Sequence, residues 1–269
     1  MRKFIYPILA FIIAIVLLYI NQRMDEGIQQ ENLNQESTQD IVNGEVAIIR
    51  KNLLPSSTTG DIIHHHTYSL SYNELHEQSE WVAYVLRDTD VVRNEFKRPF
   101  FEQDPYVSTQ SAQWWNYKNS GYDKGHLCPA GDRRATQAAY DETFLTSNIS
   151  PQLHDFNAGP WNSLEQQARK WAKEYETIFV ITGGVLRDDL KKICEEGVSV
   201  PTHFYKILFR YKNGKPHAIA WLMPQEGTSN YTDFYTSVDT IEAATGIDFF
   251  TDFDDEIEAR FESQVNQRF

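Results

Sequence analysis

The stretch GYDKGHLCPAGD, residues 121–132, sets Asp123, Lys124, Gly125 and His126 side by side with almost nothing apolar to pack. Histidine gives and takes a proton near neutral pH, and lysine carries a compact positive charge. Gly125 lacks a Cβ, so the backbone can bend tightly and leave His126 facing a substrate. Downstream, TSNISPQLHDFNAGPWNSLE carries Asn148, Asn157 and Glu165 around the entry to a helix. On a regular helix Asn157 and Glu165 lie roughly 80° apart around the axis and about 12 Å along it, too far to grip one ion directly. An ion held by the Asn157 side-chain oxygen keeps most of its waters, one of which reaches Glu165. That arrangement suits magnesium, which binds oxygen and dehydrates reluctantly.

Cleaving a phosphodiester takes a base to activate water, positive charge for the extra negative charge on phosphorus, and help for the departing alkoxide. His126, Lys124 or an arginine, and a metal at Asn157 meet these needs in turn. Asp123 is expected to orient the turn through hydrogen bonds to the backbone rather than to bind metal.

The tetrapeptide DKGH resembles the Asp-Arg-Gly-His signature of the DNA/RNA non-specific endonucleases, whose active site is a ββα-metal unit. TSNISPQ, FNAGPWNSLE and the closing IEAATGIDFF are similar to that family's blocks in order and spacing, and the resemblance runs from about Leu53 to Phe250. It implies His126 as general base, Asn157 as the metal ligand, Glu165 acting through a water on the metal, and Asn148 as a supporting residue. It further implies Mg2+ or Mn2+ as cofactor and DNA and/or RNA as substrate. Arg98, in RPFFEQDP, stands where the family places a phosphate-contacting arginine, with Arg93 as the neighbouring alternative. Lys124 departs from the pattern: charge is kept and the planar fork of arginine is lost. Two other readings remain: a catalytically inactive module of the same fold that binds polyanions or a partner, and a hydrolase of another phosphodiester.

These residues need elements to hold them. HTYSLSYN and WVAYVLR have the aromatic and β-branched content of strands, and TIFVITGGVL reads as a buried strand closed by a Gly pair. HFYKILFRYKNGKPHAIAWLMP predicts a hairpin turning at Asn213-Gly214. In PWNSLEQQARKWAKEY, residues 160–175, the apolar Trp161, Leu164, Ala168, Trp171 and Ala172 fall on one stripe, which predicts an amphipathic helix. Hairpins with segregated helices indicate an α+β fold, a central antiparallel or mixed sheet flanked by helices, over residues 47–269. Trp114, Trp115 and Tyr117 read as core, with base stacking as the alternative. TDFDDEIEARFE reads as a solvated helix face.

The net charge of -13 excludes coating of nucleic acid by bulk positive charge. Positive charge has to be local, and Lys124, Arg98, Arg133 and Arg134 cluster in sequence around the proposed phosphate position. Two cysteines, Cys128 and Cys194, allow one disulfide at most and are too few for a closed cysteine zinc site. In HHH, residues 64–66, only His64 and His66 share a strand face, so a polar strand edge is the simpler reading.

Residues 1–20 contain FIYPILAFIIAIVLLYI, Phe4 to Ile20, without a charge. As a helix it spans roughly 25 Å. No small-residue cleavage site follows, which indicates a membrane anchor with Arg2 and Lys3 on the cytoplasmic side; a cleaved signal peptide and a secreted protein are the alternative. Residues 21–46, rich in Gln, Asn, Glu and Asp, read as a flexible linker. The expected location is outside the cytoplasm, attached to the membrane.

Overall fold

The computed structural model describes residues 53–269. Its centre is a seven-stranded, wholly antiparallel sheet in the order β1-β2-β3-β6-β9-β10-β11. The strands are β1 (Ile62–His64), β2 (Ser69–Asn73), β3 (Gln78–Arg87), β6 (Thr177–Gly184), β9 (His203–Lys212), β10 (Lys215–Pro224) and β11 (Tyr235–Thr236). The predicted hairpin is β9–β10. Asn213 and Gly214 both adopt positive φ, 52° and 73°, which matches the twist of the flanking strands.

Both sheet faces are covered, as the near-continuous apolar runs of β3, β6 and β9 require. Side chains alternate across a strand, so neighbours on β9 serve different cores. Phe204 and Leu208 join Trp161 and, from helix α3 (Asn162–Tyr175), Leu164, Ala168 and Ala172. Tyr205 and Phe209 instead meet Phe249, Phe250 and Phe261, in the segment that follows α4 (Val238–Thr245) and in α5 (Asp255–Glu262).

The site elements lie on the α3 side. β4 (Asp123–His126) pairs antiparallel with β5 (Ile149–Gln152), bringing His126 opposite Ile149 and Gly125 opposite Ser150. Between them runs the short helix α1 (Gln137–Glu142), capped by the Thr136 hydroxyl, which accepts from the Ala139 N–H. After β5 come the single turn α2 (His154–Phe156), a π-helical segment (Asn157–Trp161) and α3. β5 is moored to the main sheet where the Ser150 hydroxyl donates to Gln78 Oε1 at 2.6 Å. A third small ladder joins β7 (Lys192–Ile193) to β8 (Val198–Ser199).

Several expectations need correction. Helix α3 does not start as a plain helix at Pro160: Gly159 breaks the helical path (φ -98°, ψ -108°), so the regular-helix relation of Asn157 to Glu165 does not hold. Trp114 and Trp115 are exposed, 46% and 48%, and pack edge to face on each other, whereas Tyr117 is buried. Cys128 and Cys194 are both free thiols, the first buried and the second exposed. The acidic C-terminal helix is not solvated throughout, because Phe261 and Glu262 are buried.

The apolar segment Phe4–Ile20 lies outside the described residues. Among the described residues no helix is long and apolar enough to cross a membrane. The fold class is corrected accordingly: the α+β domain stands, while the added transmembrane or signal helix, the membrane as partner and the membrane-attached or secreted location have no described element to rest on.

Gly183 on β6 shows how closely the sheet is fitted. A Cβ there would sit 2.2 Å from the Glu80 carbonyl oxygen and 2.7 Å from the Tyr205 hydroxyl, which donates to that same carbonyl. Gly183→Ala is expected to cost about 1–3 kcal/mol by overpacking, read as a lowered midpoint in urea unfolding.

Candidate active site

His126 ends β4 with its ring between two aromatic walls, Phe144 edge-on at 5.0 Å and Phe101 tilted at 5.6 Å. Nε2 is shut off from solvent and has no hydrogen-bond partner among the described residues. Burial, reinforced by the positive charge of Arg98, pushes this imidazole down to about 3. The ring is therefore neutral at physiological pH and holds a free lone pair.

Two cations share its walls. The Arg98 guanidinium lies 5.3 Å from the Phe144 centroid and 5.6 Å from that of Phe101. Lys124 Nζ lies 5.5 Å from the Phe101 centroid and 5.9 Å from that of Tyr117. The tertiary fold thus brings His126, Lys124 and Arg98 to one ring, Phe101, which all three approach. Arg133 is not part of this group: it is buried and donates to the carbonyls of Thr67, Val85 and Asp132. Arg134 bonds the Asn94 carbonyl.

Asn148 is completely buried. Its Oδ1 accepts from the Cys128 N–H at 2.8 Å, and its Nδ2 donates to the carbonyls of Cys128 and Thr143, both at 2.9 Å. With every polar atom committed to backbone, Asn148 is a positioning residue that fixes the chain just beyond His126 and just before Phe144.

Asn157 opens the π-helical segment. Its Nδ2 donates to Asp123 Oδ2 at 3.0 Å, and the same oxygen meets His154 Nδ1 at 2.9 Å. Asp123 therefore orients an amide rather than its own turn's backbone. The bond leaves Asn157 Oδ1 without a partner among the described residues, an oxygen donor of the kind magnesium or manganese takes. Gly125 is required locally, since a Cβ would stand 2.2 Å from Gln152 Oε1 and 2.6 Å from its Cγ.

Glu165 projects from α3 into a charged network under the site. Arg169, one turn on, lies 3.9 Å from Glu165 Oε2 and donates to Asp132 Oδ1 at 2.7 Å, while the Tyr84 hydroxyl donates to Asp132 Oδ2. Lys206 of β9 stacks its buried ammonium 4.6 Å from the Trp161 ring centroid. Burial pushes Glu165 up to about 7, opposed by the charges of Lys206 and Arg169 and assisted by Asp132. Burial likewise lowers Lys206, against the pull of Glu165 and Asp132. Cys128, buried beside this network, is pushed up to about 12, chiefly by desolvation, and is no nucleophile.

Phe101, Phe144, Arg169 and Lys206 were not singled out from the sequence. Arg169 had a signal, being four residues after Glu165 and so on the same helix face. Lys206 had another: a lysine in an apolar strand at a position of the buried parity. The two phenylalanines had none.

Among the described residues, one group of three acidic or metal-ligating side chains has oxygens close enough to hold a divalent cation: Asp239, Glu242 and Glu262. It uses neither Asn157 nor Glu165 and stands on α4 and α5, across the sheet from His126.

The paired strands leading into a helix, with this histidine on the first strand, are the arrangement the sequence resemblance implies. Residues 46–256 match the DNA/RNA non-specific endonuclease family. The chain belongs to that family. Endonuclease G of Caenorhabditis elegans is 34% identical over 206 residues, covering 70% of this chain and 67% of the relative. Nuclease C1 of Cunninghamella echinulata var. echinulata is 32% identical over 217 residues, covering 73% and 85%. Nuclease EXOG of Danio rerio is 33% identical over 199 residues, covering 67% of this chain, which spans 58% of the length of that relative. Among solved structures, a chain of the EndoG/EndoGI complex superimposes with a TM-score of 0.66 at 32% identity, over 72% of this chain and 86% of that one. As a DNA/RNA non-specific endonuclease family member of the ββα-metal superfamily, the protein is an enzyme of the nuclease class.

Two outcomes follow from the site's geometry. In a pH titration of the metal-free protein followed by imidazole NMR, His126 should stay neutral from pH 8 to below pH 5, because its depressed pKa favours the neutral ring; titration near 6.5 would contradict the burial. Asn148→Ala leaves three buried backbone groups without this partner, at roughly 1–3 kcal/mol each, so unfolding by denaturant should show a loss of at least about 3 kcal/mol.

Proposed function

We propose that this protein is a divalent-metal-dependent, sugar-non-specific endonuclease that hydrolyses phosphodiester bonds of DNA and/or RNA at the β4–β5–α3 unit. The observation that carries this reading is the His126 imidazole set between Phe101 and Phe144, with Arg98 and Lys124 both over the Phe101 ring. A binding module has no use for an unprotonated base beside the cations, and a polyanion alone would need only the cations.

In this reading the His126 ring carries its hydrogen on the buried Nε2, and Nδ1 takes a proton from the attacking water as the water oxygen bonds to phosphorus. Lys124 and Arg98 hold the phosphate oxygens, Lys124 as a point charge and Arg98 through its planar fork. The Phe101 and Phe144 rings flank the imidazole and limit the access of bulk water to it. Asn157, with its amide turned by Asp123, and Glu165 are the residues that would hold Mg2+ or Mn2+, and that ion supplies charge for the departing oxygen. Arg169 and Lys206 favour the carboxylate form of Glu165 against its burial.

Activity on plasmid and RNA should disappear with a chelator and return with magnesium. His126→Ala should keep nucleic-acid binding and lose about 10²–10⁴ in turnover, the usual contribution of a positioned base; full activity in this variant would remove the assignment. Lys124→Arg should cleave at least as well as the wild type, while Lys124→Ala should raise KM and lower kcat without a change in unfolding midpoint. Equal cleavage by the Lys124→Ala variant would take the phosphate away from this turn.

A further inference from the structure

The C-terminal helix α5 ends on a residue that physical chemistry disfavours. Glu262 is 4% exposed, and its Oε1 has neither solvent nor a hydrogen-bond partner among the described residues. It stands at the C-terminal end of α5, where the helix dipole favours a cation and opposes a carboxylate. The charges acting most strongly on it are those of Glu242, Glu258, Asp239 and Asp248, all of the same sign. Asp239, Glu242 and Glu262 enter none of the ion pairs of the described residues. A buried carboxylate is normally paired with a base or satisfied by hydrogen bonds, and this one is aimed at two more carboxylates instead.

The three groups converge. One oxygen each from Asp239, Glu242 and Glu262 lies within 4.8 Å of the others. Glu242 is held in place because its Oε1 accepts the Phe249 N–H at 2.9 Å. Asp239 is exposed in the first turn of α4, so the group has an open side through which an ion and its waters could enter. The donors are all oxygen, with no histidine or cysteine among them, which selects a hard cation over zinc or copper. Three carboxylates, one held by a backbone N–H, one buried and one exposed, suit the flexible coordination of calcium better than the strict octahedron of magnesium.

We propose that Asp239, Glu242 and Glu262 form a structural site for one calcium-class divalent cation that fastens α5 to α4, separate from the metal invoked for catalysis. The separation follows from strand parity: α4 and α5 serve the Tyr205/Phe209 face of β9, and α3 serves the Phe204/Leu208 face. The inference does not depend on the roles given to His126 or Asn157.

The test is thermal unfolding of the full chain, stripped of metal with a chelator, as CaCl2 is added. A ligand bound only by the folded state raises the midpoint by mass action, here by about 5–10 °C at hundred-fold excess over Kd. Glu262→Gln, which removes one of the three carboxylates, should not respond to calcium. Asp239→Asn, at an exposed position, should fold as the wild type does and lose most of the calcium response. Asn157→Ala should keep the response in full, which separates this site from the catalytic one. A wild-type midpoint unmoved by millimolar calcium, or an undiminished shift in both the Glu262→Gln and Asp239→Asn variants, would overturn the proposal.

Discussion

The buried side chain of Asn148 is the constraint on which the site's geometry depends. A single amide joins three pieces of chain: the residues that follow His126, the turn that presents Phe144, and the start of β5. Each bond is an ordinary one between neutral groups, worth about 1 kcal/mol net. Their weight comes from burial, since a backbone N–H or C=O deprived of its partner there has no water to turn to. The chain beside the imidazole and beside the ring against it is thereby fixed by one residue.

Beneath the site, Glu165, Arg169, Asp132 and Lys206 form a second constraint, in which two acids and two bases share a poorly solvated space. Coulombic attraction offsets the desolvation of these groups only because both signs are present. Burial still holds Glu165 above the usual carboxylate range, against the pull of Lys206 and Arg169. The lining thus does more than fill the core. It acts on the charge of Glu165, the carboxylate that α3 contributes to this network.

The sheet also separates charge. Arg98 and Lys124 gather at the unit on the α3 side, whereas Asp239, Glu242, Asp248, Glu258 and Glu262 congregate around α4 and α5 on the other. A chain with a net charge of -13 can still meet a polyanion if its acids face elsewhere, because at physiological salt charges are screened beyond about 8 Å. The local field at the His126 pocket, rather than the total, governs that encounter.

Much was legible in the sequence because local patterns have local causes. The β9–β10 hairpin follows from Asn213-Gly214, and α3 follows from the apolar stripe that contains Leu164, Ala168 and Trp171. The family resemblance, carried by DKGH and the blocks downstream, agrees with the family to which the chain belongs. Other features needed the tertiary structure. No spacing rule brings Phe101 and Phe144 to His126, since the contact depends on how separate segments fold over β4. Trp114 and Trp115 have core composition and lie exposed, and Glu262 has surface composition and lies buried, because burial depends on what packs from elsewhere. Sequence alone therefore determined which residues could do chemistry and which elements carry them. Tertiary structure alone decided their surroundings, which push the His126 imidazole down by desolvation and leave Glu262 Oε1 without a hydrogen-bond partner among the described residues.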